Sequence, residues 1–209
     1  MKKKAPMRSM RFAGSIMLLW VAATQVAAET TAEERKRIND AALAVYRMHA
    51  TYDEMRGASG SAIHLGGGRF ATSCHLTRDA KGVRISRGPK QWPAYYQHKN
   101  VERDLCIILT REVPEHAAQL ADVSRMKVGQ RAFAVGYPAA LTGLNIQYGT
   151  IRALYDFDGG RVIRTTAFFA RGESGGALFD ATGKVLGVLT FKSRTGPGHN
   201  FAVPANWID

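Results

Sequence analysis

From Val45 the chain alternates, with Tyr46, Met48, Ala50 and Tyr52 set against Arg47, His49 and Thr51. That period of two is the pattern of a half-buried strand. Just before it, Ile38, Ala41, Ala42 and Val45 recur at helical spacing behind Thr30 and Thr31. They predict one short helix over residues 33–44. After Val45 the segments are short. Residues 62–65 and 70–73 flank Gly66-Gly67-Gly68, a hairpin signal. Further strands are predicted over 83–86, 105–110, 130–135, 145–154, 161–166, 177–179, 185–192 and 200–203. Asp158-Gly159-Gly160 and Ala181-Thr182-Gly183 mark turns between them. About ten short strands with frequent turns argue for an all-β barrel or sandwich.

The first residues follow a different pattern. Met1 to Arg11 carries Lys2, Lys3, Lys4, Arg8 and Arg11 and no acid, and an apolar run follows from Phe12 to about Ala23. Val26-Ala27-Ala28 then offers the small residues that signal peptidase accepts. The run is too short to span a bilayer comfortably. The expectation is a signal peptide over 1–28, cut after Ala28. A single domain over 29–209 follows, with no repeat, low-complexity tract or linker.

The formal net charge is +12, and the expected cleavage removes five of the cations. The remaining basic residues are scattered, with no nucleic-acid motif beside them. A solvated basic surface and no nucleic-acid partner are expected. Two cysteines, Cys74 and Cys106, are present. In an exported chain an even count points to one disulfide, with two free buried thiols as the alternative. The histidines His49, His64, His98, His116 and His199 form no HExxH or zinc spacing, and neither metal nor cofactor is expected.

The segment Gly172-Glu173-Ser174-Gly175-Gly176 carries candidate chemistry. A serine hydroxyl needs a base to take its proton and N–H groups aimed at the developing oxyanion. Glycines beside it allow a tight turn with such donors, here the amides of Gly172 and Ser174. Alone, the segment also fits a plain glycine turn. Two strand ends add His75, in Thr72-Ser73-Cys74-His75, and Asp104, in Arg103-Asp104-Leu105. The order His75, Asp104, Ser174 is that of the chymotrypsin type. A nucleophile elbow of an α/β-hydrolase does not fit, because that fold needs a strand–turn–helix around the serine with its Asp and His beyond it, whereas here a hairpin pattern follows and only 35 residues remain.

These segments resemble the trypsin-like serine proteases, and among them the bacterial HtrA/Do-like branch. Gly60-Ser61-Ala62-Ile63 through His75 looks like that family's first strand pair. Val128-Gly129-Gln130 through Val135-Gly136-Tyr137-Pro138 is similar to the opening of its second barrel, and Phe201-Ala202-Val203-Pro204 to its closing strand. The resemblance covers about residues 45–208.

It implies a double six-stranded β-barrel with a short N-terminal helix: a helical segment over 29–44, a first barrel over about 45–120 and a second over about 121–209. His75 would be general base and acid, Asp104 its orienter, and Ser174 the acyl-forming nucleophile, with Gly172 and Ser174 as the oxyanion hole. Contact between His75 and Asp104 would bring Cys74 and Cys106 within bridging range. Phe168, Phe169, Ala170, Thr190, Phe191 and Lys192 would wall the primary pocket, the three phenylalanines fitting plain core equally well. Phe168 stands six residues before Ser174, where a trypsin-type pocket would want an acid, so a small or apolar preference is expected.

Two departures matter. Glu173 replaces the Asp that cleavage-activated relatives pair with a new N-terminus, and too little sequence follows the last strand for the PDZ domain of HtrA relatives. The expected function is an exported serine endopeptidase acting on polypeptides, periplasmic or secreted and without stable membrane insertion. The alternative is a catalytically weak or inactive member of the fold that serves as a periplasmic protein-binding module.

Overall fold

A computed structural model describes residues 30–192 and 200–208. The expected signal peptide lies outside the described residues. Helix α1 (Ala32–Ala42) is capped by the Thr31 side chain, which accepts from the Glu34 amide at 3.1 Å. Such a cap satisfies one of the N–H groups a helix start leaves open. Ile38 and Ala42 on its buried face enter the core.

The strands are β1 (Val45–Thr51), β2 (Gly57–Gly66), β3 (Arg69–Ser73), β4 (Gly82–Arg87), β5 (Lys90–Asn100), β6 (Leu105–Thr110), β7 (Arg131–Gly136), β8 (Asn145–Phe157), β9 (Gly160–Thr165), β10 (Ala177–Asp180), β11 (Val185–Lys192) and β12 (Asn200–Pro204). They close into two six-stranded barrels, β1-β2-β3-β6-β5-β4 and β10-β11-β12-β9-β8-β7. All pairings within them are antiparallel. Closure removes the unpaired edge that an open sheet exposes. The fold is the all-β double barrel with one short helix.

Alternation decides what fills each barrel. Tyr46, Met48 and Ala50 of β1 point inward and meet Phe70, Ile85, Trp92 and Ile108. In the second barrel Met126, Ala132, Ala134, Ile151, Phe169, Leu178 and Leu189 pack together. A third cluster joins the barrels and holds α1: Ile38 and Ala42 lie with Ile63, Ala71, Phe133, Val135, Val185 and Trp207.

One predicted boundary set is corrected. Residues 90–100 form β5, for which no strand was predicted, because the pattern there does not alternate. Only Trp92 is buried, Tyr95 and Tyr96 are exposed, and Pro93 sits inside the strand.

Candidate functional site

Asp104 sits in the turn before β6 with φ 51°, in the left-handed region that Asp and Asn tolerate better than most residues. That backbone turns the carboxylate back toward the end of β3. Its Oδ1 accepts from the His75 amide at 2.7 Å, and its Oδ2 pairs with the His75 ring Nδ1 at 2.8 Å. The Asp104 carbonyl also accepts from the Cys74 amide at 3.2 Å. With Nδ1–H turned to the carboxylate, the ring is held as the tautomer whose Nε2 is bare. Cys74 and Cys106 are joined by a disulfide, with Cα atoms 4.7 Å apart and both residues fully buried. It ties the residue before His75 to the strand that follows Asp104.

Thr190, on β11 of the second barrel, completes the connection. Its hydroxyl donates to Asp104 Oδ2, and its carbonyl accepts from the Ser174 hydroxyl at 2.9 Å. His75, Asp104, Thr190 and Ser174 are thus linked across the two barrels, with Ser174 joined to the pair through Thr190.

The turn bearing Ser174 is fastened on several sides. Ser61 of β2 donates its amide to the Ser174 carbonyl at 2.8 Å, and its hydroxyl donates to the Gly172 carbonyl at 3.0 Å. That hydroxyl also accepts from the Tyr137 amide at 2.8 Å. Gly172 (φ 96°) and Gly175 (φ 85°) both lie in the left-handed region. A Cβ on Gly172 would overlap the Ala139 amide, and one on Gly175 would overlap the Ser61 carbonyl. Among the described residues, neither the Gly172 nor the Ser174 amide is taken up by another backbone group.

Glu173, fully buried, accepts from the Asn145 side-chain amide at 3.1 Å through Oε1 and from the Ala170 amide through Oε2. Asn145 in turn accepts from Gln147 at 3.1 Å. Arg47 of β1 reaches across to the β7–β8 loop, donating to the Leu141 carbonyl at 2.8 Å and lying over the Tyr137 ring.

The six expected pocket residues divide. Phe169 packs in the core of the second barrel, where alternation turns it inward. Thr190 is buried with its hydroxyl on Asp104, Ala170 is half-buried, and Phe168 is exposed. The side chains of Phe191 and Lys192 lie outside the described residues. Ser61, Asn145 and Arg47 carry contacts that no sequence motif singled out, because each acts on residues distant along the chain.

The trypsin-like peptidase domain model matches residues 58–188. The periplasmic pH-dependent serine endoprotease DegQ of Escherichia coli K12 is 29% identical over 159 residues, 71% of this chain and 34% of that protein. The periplasmic serine endoprotease DegP of Salmonella typhimurium is 28% identical over 165 residues, 72% of this chain and 34% of that protein. The chain therefore spans about a third of the length of these curated relatives.

Among solved structures, the HtrA-type protease AlgW with tripeptide has a TM-score of 0.74 at 27% identity, covering 83% of this chain and 60% of that one. The serine endoprotease from Yersinia pestis shares the fold at TM-score 0.72 and 22% identity, over 86% of this chain and 65% of that one. Among the described residues no helix is long and apolar enough to cross a membrane. By its family match, its barrels and its relatives, the chain belongs to the trypsin-like peptidases, serine-type enzymes, with its likeness on the HtrA side of that family.

Proposed function

We propose that the protein is an exported serine endopeptidase that cleaves polypeptides through an acyl-enzyme on Ser174. The observation that carries this is the His75 Nδ1–Asp104 Oδ2 contact of 2.8 Å, connected through Thr190 to the Ser174 hydroxyl. In this reading Asp104 orients the ring and stabilises the imidazolium. His75 Nε2 takes the Ser174 proton and later passes it to the leaving amine. In this reading the hydroxyl turns from the Thr190 carbonyl toward Nε2, as catalytic hydrogen bonds often tighten only when substrate is present. The amides of Gly172 and Ser174 would receive the oxyanion. Export is supported by the basic and apolar start of the sequence and by periplasmic relatives.

A fluorophosphonate probe should label the wild-type protein and not Ser174→Ala, and casein or peptide turnover should fall by several orders of magnitude in Ser174→Ala and His75→Ala. Labelling that survives Ser174→Ala, or turnover indifferent to His75, would overturn the assignment. Cell fractionation of a tagged chain should place it in the periplasm or the medium; retention in the cytoplasm would remove export.

A further inference from the structure

The four contiguous strands β2, β1, β4 and β5 contain no Asp or Glu. On the outer face of the first three, one row across the sheet sets Ser59, His49 and Arg84 side by side in register. Arg47 stands in the neighbouring row, opposite Ser61 and Ser86. Ser59 and Arg84 are exposed, His49 and Arg47 half-buried. The Ser59 hydroxyl lies 3.5 Å from His49 Nδ1. Among the described residues neither arginine is in an ion pair; Arg47 donates through Nη2 alone to the Leu141 and Thr142 carbonyls. Burial, then Arg84, then Arg47 hold the His49 ring below the ordinary imidazole range. Two guanidiniums and an imidazole gathered without a counter-charge form a place where a carboxylate would be favoured.

Its position relative to Ser174 gives it a use. The Arg47 row includes Ser61, which binds both the Ser174 and the Gly172 carbonyls. The His49 row lies two residues further along the strands, about 7 Å away. The leaving amine takes its proton from His75, which belongs to the first barrel, so the departing half of a substrate lies on the first-barrel side of Ser174. An extended peptide advances about 3.3 Å per residue, which brings its second or third residue after the cut over this row.

We infer that Arg84, His49, Arg47 and Ser59 form a leaving-side subsite for an acidic residue, two or three positions beyond the scissile bond. It deepens the proposed hydrolysis at Ser174 and rests on it. The small or apolar preference expected for the acyl side is a separate matter.

The test is a set of quenched peptides identical except at the second and third residues after the cut, carrying Asp, Ala or Lys there. A further pair has a short leaving side ending at that position as a free carboxylate or as an amide. With wild type, kcat/KM for Asp over Ala should be about twofold to fivefold, the scale of one exposed charge pair. Asp over Lys should be larger, and both ratios should shrink with added salt. The free-carboxylate peptide should exceed its amide if chain ends are also accepted; equality there confines the subsite to side chains. Arg84→Ala should bring the Asp-to-Ala ratio close to one, and Arg84→Glu should invert Asp against Lys. Cleavage of the whole set at equal rates, or a preference unchanged in both Arg84 variants, would overturn the subsite alone. Failure to cleave any peptide would instead remove the hydrolase reading beneath it.

Discussion

The Asn145 side-chain amide donates to the buried carboxylate of Glu173, the residue immediately before Ser174, at 3.1 Å. A carboxylate out of water must keep its hydrogen bonds, because an unpaired one costs far more than the bond is worth when made. The turn around Ser174 is thus held partly from the first residue of β8. Asn145→Ala should destabilise the fold by about 1–3 kcal/mol, lowering Tm by roughly 3–10 °C. Calorimetry checks this, and turnover at a temperature below the new transition should fall as well. An unchanged Tm would show that the other partners of Glu173 suffice.

Gly175→Ala addresses the joint between the barrels. The new methyl would run into the Ser61 carbonyl and the Thr72 hydroxyl, at a backbone φ of 85°. Left-handed strain costs an alanine about 1–2 kcal/mol and overpacking about 1–3 kcal/mol more. A urea melt should show a loss within that combined range, and fluorophosphonate labelling should weaken. Gly67→Ala, also at positive φ but in open space, should cost only the backbone part.

Removing the disulfide by Cys74→Ser with Cys106→Ser frees a loop of sequence separation 32. On the chain-entropy model the loss is about 3–4 kcal/mol. The melting temperature in denaturant should drop accordingly. Because the bridge flanks both His75 and Asp104, kcat should fall more than KM rises. A double variant with wild-type kcat would confine the bridge to stability.

His64 is buried beside Tyr46 and Phe70, with Nδ1 2.7 Å from the His116 carbonyl and, among the described residues, no partner on Nε2. Burial first, and Arg87 to a lesser degree, push its pKa below the ordinary 6.5, while the His116 carbonyl pulls the other way. The unfolded chain therefore takes up this proton first as pH falls. The contribution is complete above pH 6.5 and is lost as pH drops toward the folded-state pKa. Chemical denaturation between pH 7 and 5 should show falling stability, with His49 acting in the same direction. His64→Gln, which keeps a donor for the carbonyl, should make that acid limb shallower. An identical slope would place the titrating group elsewhere.

Local pattern carried much of this molecule in the sequence. The spacing of Ile38, Ala41 and Ala42 marked the helix, observed over Ala32–Ala42, and the alternation from Tyr46 marked β1. Strand β5 escaped because a barrel can close with a strand that buries one large side chain, Trp92, and the turn-like Pro93 hid the rest. At the site, Ser174, His75 and Asp104 stood out through their neighbours and order. The contacts that organise them did not. Thr190 reaches Asp104 over 86 residues, Ser61 reaches Gly172 over 111, and Asn145 reaches Glu173 over 28. A threonine, a serine and an asparagine in strands have no signature until the strands are paired.

Helix α1 precedes the first barrel in sequence yet is seated largely by the second. Arg131 at the start of β7 pairs with its Glu34 at 3.0 Å, and the turn at Gly183 lies against Arg37 and Ala41. The first barrel alone therefore offers α1 only part of its seat, the side made by Ile63 and Ala71. Contacts so distant along the chain form slowly, so until β7 and the Gly183 turn are in place the helix stays half-anchored, with part of its apolar face still open to water.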